Sequence, residues 1–277
     1  MIKLLITDLD DTLYSWIGFF VPAFYEMVEE LSIITNQPVA ELLNEYKQVH
    51  QEKGSVEYPY ATLALETVKK KFINYDKGML LEVLNPAFHK FNSVRKAKLQ
   101  LFPKVKETLE YLSNAGVVIV GYTDSAEENG FYRLKKLGID DLFSKVYVSN
   151  SQYKNTVNPS AKTVVVNGKK PNPEVVKQIC ENENIDLEEA VYIGDSLTKD
   201  IYMAHMAGIK SILCQYPKEP NFEELYSKLV AITNWTDKDF QDERLLKIKC
   251  KADNITPDYI VDSFNKIVEI IENINNQ

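Results

Sequence analysis

A short apolar run, Ile2 to Thr7, stops abruptly at the acidic segment Asp8-Leu9-Asp10-Asp11-Thr12. An uninterrupted run of this length, rich in branched residues, predicts a strand buried on both faces, as in a parallel sheet. From about Phe20 to Phe91 the period changes. Pro22–Thr35, Val39–Gln51, Tyr60–Phe72 and Gly78–Phe91 carry apolar residues at helical spacing, separated by Asn36-Gln37-Pro38, Lys53-Gly54-Ser55 and Asn74–Lys77. Four helices with no strand between them predict an insert that packs as its own small bundle.

Beyond the insert, strands and helices alternate. Pro103–Ala115 reads as a helix closed by Gly116, Val117–Val120 as a strand, Glu127–Leu137 as a helix stopped by Gly138, and Val146–Val148 as a strand. Asn172 and Pro173 offer an N-cap and a first-turn proline for the next helix. Ala190–Ile193 follows as a strand, Thr198–Ala207 as a helix ending at Gly208, and Ser211–Leu213 as a further strand. Lys162–Val166 is strand-like inside a long polar connection, 149–168. Tyr216–Thr256 is irregular in pattern, and Tyr259–Ile274 predicts a closing helix. The alternation predicts an α/β fold: a Rossmann-like parallel sheet flanked by helices, with an inserted all-helical domain. The expected boundaries place residues 1–15 and 97–277 in the core and 16–96 in the insert.

Composition narrows the function classes. A formal net charge of -8 repels nucleic acid and anionic membrane surfaces, so neither is an expected partner. A small anion would need local cations or a metal to bind. The first apolar run is too short for a signal-peptide core, and no stretch is long enough to span a bilayer. The three cysteines (Cys180, Cys214, Cys250) form no CxxC pair and fit reduced thiols in a cytoplasmic protein. Nothing in the pattern distinguishes a monomer from a homodimer.

The chemistry-bearing residues fall just after the apolar runs, where open parallel sheets carry their sites. Asp8, Asp10 and Thr12 follow the first strand; Thr123, Asp124 and Ser125 follow the second; Asp195 and Asp200 follow a later one; Lys169 and Lys170 precede a helix start. If these strands are neighbours, several carboxylates, hydroxyls and a lysine converge. A carboxylate cluster without histidine or cysteine is an oxygen-donor site, for which Mg2+ is the natural metal, and a divalent cation offsets the mutual repulsion of the acids.

Four pieces taken in order resemble the haloacid dehalogenase superfamily of phosphohydrolases: Asp8-Leu9-Asp10-Asp11-Thr12, the strand ending at Thr123, Lys170-Pro171-Asn172-Pro173-Glu174, and Gly194-Asp195-Ser196-Leu197-Thr198-Lys199-Asp200. The resemblance implies a phosphatase acting on a small phosphorylated metabolite. Asp8 would be the nucleophile, and Asp10 would protonate the leaving oxygen and then deprotonate water. Asp8 and Asp195 would hold Mg2+ by their side chains and Asp10 by its backbone carbonyl. Thr123, with Asp124 beside it, would bind phosphoryl oxygens. Lys170, directly before Pro171 and favoured over Lys169, would neutralise charge on Asp8 and phosphate. Thr12 would hold the Asp8 loop and Asp200 would support the lysine or the metal. The insert would be the family's C1-type cap. Asp10 argues against dehalogenation. The same motifs are compatible with a sugar phosphomutase of the β-phosphoglucomutase type and with a non-catalytic binding or regulatory relative.

Overall fold

The computed structural model describes residues 1–58, 60–150, 160–217 and 219–276. Of the polar connection 149–168, residues 151–159 lie outside the described residues. Seven strands, β1 (Leu4–Thr7), β2 (Val118–Ala126), β3 (Lys145–Ser149), β4 (Thr163–Val166), β5 (Ala190–Gly194), β6 (Lys210–Cys214) and β7 (Tyr259–Val261), form one sheet in the order β4-β3-β2-β1-β5-β6-β7. Every pairing is parallel. The apolar run at the N-terminus is therefore the central strand, and all four of its residues are buried.

The helices in chain order are α1 (Trp16–Thr35), α2 (Val39–Lys53), α3 (Ala61–Ala64), α4 (Glu66–Lys71), α5 (Lys77–Val83), α6 (Asn85–Lys98) and α7 (Val105–Asn114). They continue with α8 (Glu127–Leu137), α9 (Pro173–Glu183), α10 (Tyr202–Ala207), α11 (Phe222–Ala231), α12 (Asp237–Ala252) and α13 (Ile267–Asn275). Period-two alternation along the strands sorts side chains between the two faces of the sheet. On one face Leu4, Ile6, Val120, Tyr122 and Tyr192 pack with Val175, Val176 and Ile179 of α9 and Met203 and Ala204 of α10. Among the described residues no helix is long and apolar enough to cross a membrane. The three cysteines are buried and free.

The chain divides into two compact units. One holds Met1–Ser15, Gln100–Pro217 and Glu243–Gln277; the other holds Trp16–Leu99 and Lys218–Asp242. The second stretch of the helical unit was expected in the core. It belongs with the helices because α11 lies against α1 and α2. The Tyr25 hydroxyl donates to the Lys228 carbonyl at 3.0 Å, and His50 Nδ1 lies 2.8 Å from the Ile232 carbonyl oxygen.

Three further details depart from the sequence pattern. The helix expected over Tyr60–Phe72 is broken at Leu65, whose extended backbone (φ -63, ψ 137) separates α3 from α4. The segment 216–256, irregular in sequence, contains both α11 and α12. The closing helix begins only at Ile267, because Tyr259–Val261 extends as edge strand β7 alongside β6. All three residues of this edge strand, Tyr259, Ile260 and Val261, are aromatic or β-branched, which favours that choice. Asp258 fastens it by accepting from both the N–H and the hydroxyl of Ser211, each at 2.8 Å.

Candidate active site

Strand register assembles the site. Thr7 lies level with Gly121 on β2 and with Ile193 on β5, so the next residues of three adjacent strands emerge together at the C-terminal edge of the sheet. The Asp8 N–H extends the ladder to the Ile193 carbonyl at 2.9 Å. After Asp8 the chain turns sharply. Leu13 N–H returns to the Leu9 carbonyl at 2.9 Å, and Asp11 adopts φ 58, a left-handed conformation that aspartate tolerates better than most side chains.

The buried Asp8 carboxylate is held on both oxygens. Lys170 Nζ donates to Oδ1 at 2.5 Å, and the Thr12 hydroxyl donates to Oδ2 at 3.3 Å. Lys170 also donates to Asp200 Oδ1 at 2.9 Å, and its ammonium lies 5.1 Å and 5.5 Å from the ring centroids of Tyr122 and Tyr192. Lys169, by contrast, is exposed. Asp200 is committed to the chain: besides Lys170 it accepts from the Tyr192 hydroxyl at 3.0 Å and from the Ser196 N–H at 3.1 Å. Gly194 makes room for it, since a Cβ there would stand 2.4 Å from the Asp200 carboxyl.

The electrostatics follow from this crowding. Burial pushes the Asp8 carboxyl well above its ordinary range; Lys170 opposes that push, while Asp200 and Asp195 add to it. Burial alone would lower the Lys170 ammonium, but Asp200 and Asp8 outweigh it and raise the pKa instead. Solvent reaches Asp195, yet the protein atoms crowded around it, and then Asp200 and Asp11, push its carboxyl up to about 8. One carboxylate oxygen from each of Asp8, Asp195 and Asp200 falls within 4.8 Å of the others. Three acids so close, two of them with raised pKa and with Lys170 as the cation paired to Asp8 and Asp200, form a hard oxygen-donor set whose charge is only partly compensated. It suits a divalent cation.

The remaining residues singled out in the sequence sit along the same edge. Thr123 is buried at the end of the β2 apolar run, and its Oγ1 accepts from the Ser125 N–H at 3.0 Å. The Asp124 carboxylate serves the polypeptide: Oδ1 accepts from the Lys170 N–H at 2.9 Å, and Oδ2 pairs with Lys199 at 3.4 Å. It therefore ties the segment carrying Lys170 to the β2 end. The partners of the Asp10 carboxylate include Arg133, which was not among the residues singled out in the sequence, and Ser125, which was named there only for its place after the second strand. Arg133 Nη1 reaches Oδ1 at 2.7 Å, and the Ser125 hydroxyl donates to Oδ2 at 2.8 Å. One signal was available in the sequence. Arg133 is a lone basic position on the apolar face of α8, beside buried Gly130 and Leu134.

Residues 5–214 match the family described as haloacid dehalogenase-like hydrolase. The chain belongs to that family. It is 25% identical over 275 residues to the glyceraldehyde 3-phosphate phosphatase of Methanocaldococcus jannaschii, an alignment that covers 99% of each chain. The protein of the same description from Methanopyrus kandleri is 26% identical over 226 residues, 80% of this chain and 88% of that one. Among solved structures, a 2-haloacid dehalogenase from Pseudomonas syringae superposes with a TM-score of 0.58 at 21% identity and 99% coverage of both chains, a likeness of fold.

Proposed function

We propose that this chain is a Mg2+-dependent phosphatase that hydrolyses a small phosphorylated metabolite through an aspartyl-phosphate. The observation that carries this reading is the Asp8 carboxylate, gripped between Lys170 and Thr12 at the end of the central strand, with Asp10 two residues on. An Asp8 oxygen attacks phosphorus, the bond from phosphorus to the ester oxygen breaks, and Asp10 gives that oxygen a proton. Water then attacks the same phosphorus, Asp10 takes a proton from it, and the bond from phosphorus to Asp8 breaks to restore the carboxylate. Lys170 offsets charge on Asp8 and on the phosphoryl group throughout, and Thr123 donates to a phosphoryl oxygen.

Asp8 and Asp195 would hold the cation by their carboxylates and Asp10 by its backbone carbonyl. When bound, Mg2+ supplies positive charge against the phosphoryl oxygens. The helical unit is assigned the role of a cap that selects the leaving group. The names of the two relatives given above support a short phosphate ester as substrate, with glyceraldehyde 3-phosphate the first to test.

The test is a panel of phosphorylated metabolites, including 2-phosphoglycolate and β-glucose 1-phosphate, assayed for released phosphate with and without Mg2+. The expected result is Mg2+-dependent phosphate release, abolished in Asp8→Asn while that variant still melts cooperatively. Acid-quenched wild type should carry a phosphoryl mass on the peptide containing Asp8. Turnover retained in Asp8→Asn would overturn the assignment of the nucleophile.

A further inference from the structure

We infer that Arg133 is a positioning residue for the second half of the reaction: it holds the Asp10 carboxylate in the orientation that receives the proton of the attacking water. The inference rests on the reading of Asp10 given above.

Burying an arginine costs free energy unless its charge and its donors are met, so a buried guanidinium in this fold needs a reason. The Arg133 side chain is 4% exposed, against 24% for Asp10, its ion-pair partner. It rises from the middle of α8, 123 residues along the chain from Asp10, and Nη1 reaches both Asp10 Oδ1 at 2.7 Å and Ser125 Oγ at 3.3 Å. Ser125 in turn donates to Asp10 Oδ2 at 2.8 Å. The carboxylate is thus anchored through both oxygens, by a guanidinium and a hydroxyl that also contact each other. A short aspartate with two χ angles, fixed in this way, keeps one orientation rather than several. A base must lie within hydrogen-bond reach of the proton it takes, so fixing that orientation is worth rate. Gly130, one turn before Arg133, brings α8 close to the loop: a Cβ there would stand 3.1 Å from the Thr123 methyl and 3.4 Å from Ser125 Cβ.

The consequence is specific to one step. With p-nitrophenyl phosphate the leaving group departs without needing a proton, so phosphorylation of Asp8 is insensitive to Asp10. Hydrolysis of the aspartyl-phosphate is not. Stopped-flow assays with saturating Mg2+ should compare wild type, Asp10→Asn, Arg133→Met, Arg133→Lys and Ser125→Ala, each checked for cooperative melting. In Arg133→Met the expected result is a burst approaching one nitrophenolate per active site, followed by a steady rate about 10²-fold below wild type, within the range spanned by general base catalysis. Arg133→Lys and Ser125→Ala should show the same pattern with smaller losses. The double variant Asp10→Asn/Arg133→Met should be no slower than Asp10→Asn alone, as expected of residues that act as one unit.

A burst in Asp10→Asn without one in Arg133→Met, Arg133→Lys or Ser125→Ala would overturn the role of Arg133 while leaving that of Asp10 standing. Proportional loss of both phases in the Arg133 variants, or multiplicative loss in the double variant, would do the same. Full steady-state turnover in Asp10→Asn, or no turnover of any ester by wild type, would remove the reading on which the inference rests.

Discussion

His50 provides a stability prediction that can be worked through from the structure. The ring is buried in α2 beside Phe24 and Tyr46, with centroid separations of 5.6 Å to each. A carbonyl oxygen only accepts, so Nδ1 carries the proton that bonds Ile232, 2.8 Å away. Nε2 is buried with no partner among the described residues. Protonating it would bury a charge and an N–H that meets no acceptor. Burial accordingly drives the imidazole pKa from its ordinary 6.5 down to about 4, with the Ile232 bond opposing the fall. Between these two values the unfolded chain binds more protons than the folded one. Stability therefore rises with pH through that window and is lost as pH falls. At 1.36 kcal/mol per pKa unit, the loss attributable to His50 is about 2 kcal/mol at pH 5 and about 3 kcal/mol below pH 4.

Other groups also titrate in this window, so the contribution must be isolated by difference. His50→Gln keeps a side-chain amide near Ile232 but does not titrate. Trp16 and Trp235, the only two tryptophans, both belong to the helical unit, so their fluorescence during urea unfolding reports on that unit. At pH 7.5 the variant should be less stable than wild type by about 1 kcal/mol, the value of one hydrogen bond plus imperfect packing. By pH 5 the difference should vanish or reverse. Two stability curves that stay parallel from pH 7.5 to pH 5 would show that His50 does not gain a proton on unfolding, and the argument would fail.

The candidate active-site edge supports three more expectations. Lys170→Met leaves Asp8 and Asp200 facing each other without their shared cation; it should cost about 3–5 kcal/mol in urea unfolding without metal and remove measurable phosphate release, whereas Lys169→Ala should stay within about 0.5 kcal/mol. Gly194→Ala forces a Cβ to within 2.4 Å of the Asp200 carboxyl, so that residue must leave Lys170 and the Ser196 N–H; kcat should fall about 10²-fold, and an unchanged rate would show that Asp200 is dispensable. Chelation should abolish activity and added Mg2+ should restore it and raise Tm. Protons compete with the cation for Asp195, whose pKa is pushed up to about 8, so Mg2+ affinity measured by calorimetry should strengthen as pH rises toward that value.

The parts of the fold that were legible in the sequence are those in which burial leaves a periodic mark. A strand covered on both faces is apolar along most of its length, so β1 and β5 stand out as near-continuous runs that end where the chain turns polar. The acids were legible for the same reason, because Asp8 and Asp195 follow such runs directly. What was hidden depends on contacts far apart in the chain. No local pattern assigns α11 to the helices before it, because the tie is a carbonyl of Ile232 meeting an imidazole 182 residues away. β7 is too short to show a period, and its place is settled by Asp258 and Ser211 across 47 residues. Arg133 left only a faint mark, its place on the apolar face of α8, because a basic residue on a helix usually faces solvent, and the fold is needed to show that this one turns inward.

The helical unit is drawn from two separated stretches of chain, and the second boundary falls inside α12 rather than in a loop. That bears on modularity. Transplanting Trp16–Leu99 alone as a cassette would carry away α1 and α2 but leave behind α11, and with it the carbonyls that satisfy Tyr25 and His50. Recombination or chimera design within this family would have to move both pieces and rejoin one of them in mid-helix, where a length error of a single residue rotates everything downstream by about 100°. In this chain the helical unit is thus no single contiguous cassette.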